Sequence, residues 1–135
     1  MADEVPAEAS APSVVELLAQ RIAQRSLPVP IPMTPEAIRE RLGRALGRFV
    51  GSRDPRRRRT FGRLAYALMA TPEGTNAELA AVVGISPQAL QRAADVLAEA
   101  GLLTISYRKN IRYQALNETG EIWLLPHAQG TAPAQ

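Results

Sequence analysis

A mainly helical fold carrying one small β-hairpin is predicted for this chain of 135 residues. Three observations predict it. Helix start signals precede apolar residues at helical spacing again and again, at Ser13, Thr34-Pro35, Asp54-Pro55, Thr75 and Ser86-Pro87. The run "AELAAVVGISPQALQRAADVLAEAGLL", residues 77–103, contains two short apolar-patterned segments hinged on Gly84. After it, "LLTISYRKNIRYQAL" alternates apolar and polar residues on either side of a polar tip, the pattern of a hairpin.

The first twelve residues, rich in Ala, Glu and Pro, read as a disordered leader. Ser13 followed by Glu16 is a capping box, and Val14, Leu17, Leu18 and Ile22 make one apolar stripe of a helix over 13–27. Prolines 28, 30, 32 and 35 mark residues 28–35 as an extended connector. Thr34 then caps a helix over 35–51, with Pro35 at its first position. Its apolar side holds Ile38, Leu42, Leu46, Phe49 and Val50, beside a row of glycines at 43, 47 and 51.

Each glycine inside a helix costs about 1 kcal/mol relative to alanine, so the row implies close approach of another helix. That helix lies either in the same chain or in a second copy. The second reading makes Ile38, Leu42, Gly43, Leu46, Gly47 and Phe49 a dimerisation surface. Asp54-Pro55 opens a further helix, "RRRRTFGRLAYALMA", with Phe61, Leu64, Ala65, Leu68 and Met69 facing inward, and "TPEGTN" reads as a loop.

Thr75 and Glu78 form another capping box for a helix over about 76–83, with Leu79, Ala80 and Val83 inward. Gly84 supplies the left-handed turn and Ile85 fills the angle between helices. Ser86 caps the next helix, 87–100, whose inward stripe is Leu90, Ala93, Leu97 and Ala100, and Gly101 ends it. In the hairpin, Leu103, Ile105 and Tyr107 on one strand and Ile111, Tyr113 and Ala115 on the other are the expected apolar positions. Its tip is Arg108-Lys109-Asn110. A short helix led by Trp123 is expected to stop at Pro126, leaving 127–135 as a flexible tail.

Helix, helix-turn-helix and basic hairpin in that order resemble bacterial winged helix-turn-helix regulators of the MarR and ArsR kinds. The likeness spans about residues 57–125 and rests on the run 77–103, the hairpin and "LNETGEIWLL". Domain organisation follows: a leader at 1–12, N-terminal helices at 13–53, a winged domain at 54–126 and a tail. Regulators of the MarR kind dimerise through long C-terminal helices, and Pro126 leaves no room for one, so the N-terminal helices are the expected means of homodimerisation. The resemblance implies double-stranded DNA as partner and lays the exposed face of helix 87–100 in the major groove. Base contacts then fall to Gln88, Gln91 and Arg92, since glutamine can read adenine and arginine guanine in two-pronged fashion. Asp95 and Glu99, at the far end of that face, point away from the bases or repel phosphate.

Charge sharpens the picture. Residues 1–20 hold four acids and no base, whereas residues 21–63 hold twelve arginines against Glu36, Glu40 and Asp54. The recognition segment itself carries a single base, Arg92. Attraction for phosphate must therefore come from elsewhere: Arg56, Arg57, Arg58 and Arg59 ahead of it, and Arg108, Lys109, Asn110 and Arg112 of the wing, with Ser86 at the helix start. Each neutralised phosphate adds affinity that weakens with salt. The other reading of Arg56–Arg59 is a solvated face or basic linker.

Catalysis has little to work with. There is no cysteine, and His127 is the lone histidine, so no nucleophilic triad or His-rich metal site can be assembled. No phosphate-binding glycine loop is present. The expectation is a protein that is not an enzyme, with no metal and no cofactor. An acidic N-terminus and the absence of any long apolar run point away from secretion and the membrane, leaving a cytoplasmic location as the expectation. Two further functions compete with a dimeric transcriptional regulator. One is a winged-helix module that docks on a protein partner through its Asp95 and Glu99 face. The other is a non-specific nucleoid or plasmid-maintenance factor.

Overall fold

The computed structural model describes residues 13–26 and 31–132. The expected leader at 1–12, most of the 28–35 connector's first half and residues 133–135 lie outside them.

Helix α1, Val14–Ser26, belongs to the first of two compact units. Ser13 caps it, its Oγ accepting the Glu16 amide at 3.1 Å. Every described side chain from Ser13 to Arg25 is exposed, the apolar stripe included, with Leu17 at 41% and Val14 at 82%.

From Ile31 onward the residues form one compact unit. Helix α2, Pro35–Val50, begins at the expected cap, Thr34 Oγ1 accepting from the Ala37 amide, and ends where Gly51 turns left-handed at φ 75°. Helix α3, Pro55–Ala70, is capped by Asp54, which accepts from the Arg56 amide at 2.9 Å. These two helices cross at bare backbone. A Cβ on Gly43 would collide with the Arg58 carbonyl, one on Gly62 with the Arg39 carbonyl, and one on Gly47 would lie 2.6 Å from Arg58 Cγ. Gly43 and Gly47 of the row therefore serve a partner helix in the same chain, and Gly51 serves the turn. This corrects most of the expected dimerisation surface: Leu42, Gly43, Leu46 and Gly47 are buried inside the protomer and cannot meet a second copy. Ile38 is half-buried and packs on the same core, and Phe49 alone of the set is well exposed.

Residues 74–75, expected as loop, form a two-residue strand β1, Gly74–Thr75. The capping box follows as expected, Thr75 and Glu78 exchanging side chain-to-amide bonds to start α4, Asn76–Val83. Gly84, at φ 86°, turns the chain, and Ser86 Oγ accepts from the Ala89 amide to start α5, Pro87–Glu99. Strands β2, Leu103–Arg108, and β3, Ile111–Leu116, pair antiparallel, and β1 adds to the outer edge of β3, giving the order β1-β3-β2.

The register of the hairpin puts the apolar positions of its two strands on opposite faces. Lys109 and Asn110 both have positive φ, 52° and 66°, as a two-residue turn whose twist matches the strands requires. That turn places Ile105 opposite Gln114 and Tyr107 opposite Arg112. Opposed residues share a face, so Arg112 and Gln114 lie on the face of Ile105, while Ile111, Tyr113 and Ala115 lie on the other. A one-residue change of register exchanges every side chain between faces.

Helix α6, Glu118–Gln129, also departs from expectation. It runs through Pro126 and stops at Gly130, φ 73°. Proline removes only the bond to the carbonyl of Ile122, whose residue is well exposed to water, while Leu124 and Ala128 on either side of it are buried. Arg41 holds the end of the helix, donating from Nη2 to the Ala128 carbonyl at 2.6 Å and from Nη1 to the Pro32 carbonyl at 2.7 Å. Residues 127–132 thus belong to the fold rather than to a tail. Phe61, Leu64, Leu90, Leu97 and Leu102 lie at the centre of the core that α2–α6 enclose. Among the described residues no helix is long and apolar enough to cross a membrane.

Candidate nucleic-acid interface

Burying Leu90, Ala93, Ala94 and Leu97 fixes the rotation of α5 about its axis. At 3.6 residues per turn the opposite side of its first two turns is then Gln88, Gln91 and Arg92, and all three are exposed. Gln91 Oε1 accepts from Asn76 Nδ2 of α4 at 3.0 Å. Ser86 is exposed, with its hydroxyl already engaged in capping.

The four arginines at the start of α3 divide between two faces, as residues 100° apart around a helix must. Arg56 and Arg57 line a groove of about 560 Å³ between α3 and α5, together with Ala89, Arg92 and Asp95. Arg57 also lies over the Phe61 ring, 5.5 Å from its centre. Arg58 and Arg59 face another groove, between α2 and α3, alongside Arg39, Arg44 and Arg63. Arg58 is a packing residue there: its stem covers Gly47 and its Nε donates to the Ser52 carbonyl at 3.0 Å, which closes the α2–α3 turn. Its grouping with Arg56, Arg57 and Arg59 as a phosphate contact gives way to that role.

The wing carries less unpaired charge than its sequence suggests. Arg108 pairs with both carboxylate oxygens of Glu73 and stacks over Tyr113 at 3.8 Å. The hydrogen bond from Arg108 holds Glu73 below the usual carboxylate range, and Glu73 in turn raises Arg108. Arg112 is turned inward. Its Nη2 meets Asp95 Oδ1 of α5 at 2.6 Å, its Nε donates to Gln114 Oε1 at 2.8 Å, and its side chain is only 11% exposed. Gln114 completes the chain by donating from Nε2 to the Gly74 carbonyl at 2.9 Å, fully buried. Lys109 and Asn110 remain exposed at the tip.

Two expectations change with this geometry. Arg112 leaves the outward set, because the two-residue turn points it at α5. Asp95 accepts from Arg112 and so fastens the wing to α5. Sequence reading missed Glu73 and Gln114 as members of the site, and Asn76 as the partner of Gln91. The parity of the hairpin turn was the one signal that could have revealed Gln114. His127, expected in the tail, packs on Trp123 with ring centres 4.3 Å apart, and Trp123 on Phe49 at 4.8 Å. Burial, then the nearby Arg48, lowers the His127 pKa below its ordinary 6.5.

No protein-family model matches the chain, and no curated protein matches it in sequence. Solved structures do match in three dimensions. The YusO protein from Bacillus subtilis superposes with a TM-score of 0.52 at 14% identity, over 89% of this chain and 78% of that one. BpsR from Bordetella bronchiseptica, described with regulation of its DNA binding by 6-hydroxynicotinic acid, matches at 0.47 and 16% identity, over 90% of this chain and 78% of that one. The antimony-specific transcriptional repressor AntR matches at 0.44 and 14% identity, over 95% of this chain and 89% of that one. The likeness to YusO carries the comparison of fold. The chain has a winged-helix fold, mainly α with a three-stranded wing, of the kind the sequence resemblance implies.

Proposed function

We propose that the protein binds double-stranded DNA sequence-specifically, as a dimeric transcriptional regulator, with α5 in the major groove. One observation carries the reading: Gln88, Gln91 and Arg92 share the exposed face of α5, and Arg56 and Arg57 share a groove with Arg92. Base-reading amides and phosphate-directed guanidinium groups therefore adjoin each other across two elements. The amides supply selectivity without charge, and the arginines supply affinity without selectivity. Lys109 at the wing tip, and Arg59 toward the other face, extend the basic rim.

Dimerisation rests on α1. A helix exposed on all sides with a stripe of Val14, Leu17 and Leu18 has an apolar face in need of cover. A second copy of α1 supplies it. Deleting residues 1–30 leaves the compact unit with its core, so the truncated protein is expected to run at monomer mass; an unchanged oligomer would discard the assignment.

Selection of bound duplexes from a random pool at about physiological salt tests the main reading. An enriched motif with two inverted half-sites about one helical turn apart is the expected result. Retention without enrichment would favour a non-specific binder. A specific feature favours the alternative of a protein-docking module: Glu73 and Asp95 engage two of the three wing cations. No retention of any duplex, with a protein partner kept after nuclease treatment, would decide for it.

A further inference from the structure

The hydrogen bond between Asn76 and Gln91 has a direction, and the direction has a consequence for what α5 can read. Asn76 is the first residue of α4, immediately after the Thr75 cap, so the helix start fixes its backbone. Its side chain is half-buried, with Oδ1 out of solvent and no partner among the described residues, while Nδ2 donates to Gln91 Oε1 at 3.0 Å. Gln91 is exposed on the same face as Gln88 and Arg92.

A free glutamine amide reads adenine by accepting from N6 with its oxygen and donating to N7 with its nitrogen. Gln91 has its oxygen drawn toward α4. The group left at the outer end of the amide is Nε2 with its two N–H donors. The second lone pair of Oε1 persists, but the amide cannot keep Asn76 and also swing both of its ends onto one base. A donor-only amide suits an edge that offers acceptors. Guanine offers O6 and N7 side by side, and thymine offers O4; cytosine presents an amino donor alone, and adenine sets an amino donor beside its single N7 acceptor.

We propose that Asn76 is a positioning residue that sets the specificity of Gln91, turning it from an adenine reader into a donor for guanine or thymine. This inference rests on the proposed reading of duplex DNA by α5. It replaces the adenine expectation drawn from residue type alone. Reversing the polarity of the one hydrogen bond should reverse the preference. In Asn76→Asp the carboxylate can only accept, so Gln91 donates to it through Nε2 and presents Oε1 outward, which suits the amino groups of cytosine and adenine. A negative charge in the first turn of α4 is favourable to the helix and offsets part of the cost of a carboxylate oxygen at the solvent-shielded Oδ1 position.

The test compares bound-duplex selection from a random pool for the full-length wild type, Gln91→Ala and Asn76→Asp. The position that loses discrimination in Gln91→Ala is then examined by competition among four duplexes differing only there. Guanine or thymine is the expected wild-type preference, shifting to cytosine or adenine in Asn76→Asp by roughly threefold to tenfold, the worth of one hydrogen bond. Adenine or cytosine in the wild type, or an unchanged preference in Asn76→Asp, would overturn the proposal. So would an enriched motif with no position sensitive to Gln91→Ala, which would leave DNA reading by the other residues intact. Absence of any enriched motif for the wild type overturns the DNA reading itself. If circular dichroism shows Asn76→Asp unfolded, Asn76→Ala serves instead: adenine is then expected to rise to parity with the wild-type base, and an unchanged profile refutes the role.

Discussion

Arg112 of the wing and Asp95 of α5 meet at 2.6 Å, with the arginine side chain almost withdrawn from water. This pair ties the wing to α5, and Gln114 continues the tie from Arg112 Nε to the Gly74 carbonyl of β1. A docking surface built from two elements needs such a tie to hold its contacts in register. Asp95 is itself half exposed, so the tie is worth much less than a fully buried ion pair.

Asp95→Asn therefore tests two consequences at once. Losing the charge but keeping the shape should lower stability by about 1 kcal/mol, read from denaturant unfolding. It should also raise affinity for all duplexes and steepen the salt dependence, because Arg112 then carries uncompensated charge beside the interface. A weaker, flatter binding curve would contradict that role.

Arg57→Ala and Arg58→Ala should behave differently although the residues are adjacent. The first is expected to weaken binding to every sequence and to reduce the salt slope by about one, with little change in stability. The second should cost about 1–2 kcal/mol of stability through the lost Ser52 bond and the uncovered Gly47. Parallel salt titrations and unfolding curves separate the two, and equal effects would refute the division of the arginine run between two faces.

Gly62→Ala should destabilise by roughly 2 kcal/mol or more, even though alanine favours a helix by about 1 kcal/mol. The added carbon meets the Arg39 carbonyl, which is backbone and cannot swing away. Thermal unfolding checks this, and a stabilised protein would mean that α2 and α3 do not cross closely.

Stability should fall as pH drops below about 6.5 toward the lower pKa of folded His127. The sign follows from proton counting: burial and Arg48 disfavour the charged imidazole in the folded state, so the unfolded chain binds more protons in that window. Stability is therefore full above the unfolded value and is lost as pH falls. His127→Gln should flatten the midpoint of unfolding between pH 7 and 5. Glu73, held low by Arg108, titrates below its ordinary 4.5 and leaves that window clear.

Helix positions were legible because short-range chemistry makes them. Thr34-Pro35, Asp54-Pro55, Thr75 with Glu78, and Ser86-Pro87 cap their own helices through bonds spanning two or three residues, and Gly84 turns where a left-handed conformation is needed. The exposed face of α5 was legible for a related reason: a helix that buries Leu90, Ala93 and Leu97 must expose Gln88, Gln91 and Arg92. What each of those exposed groups does could not be read the same way. Arg112 with Asp95, Arg108 with Glu73, Arg41 with Ala128 and Asn76 with Gln91 are partners from different elements, and only packing brings them together. The glycine row announced a close crossing but not which chain supplied the other helix. Pro126 announced the end of a helix, yet the surrounding core and the Arg41 bond outweigh one missing backbone hydrogen bond. Local bonds and periodicity write the elements into the sequence, whereas pairing across the fold, set by register and close packing, decides which charges remain free to meet a ligand.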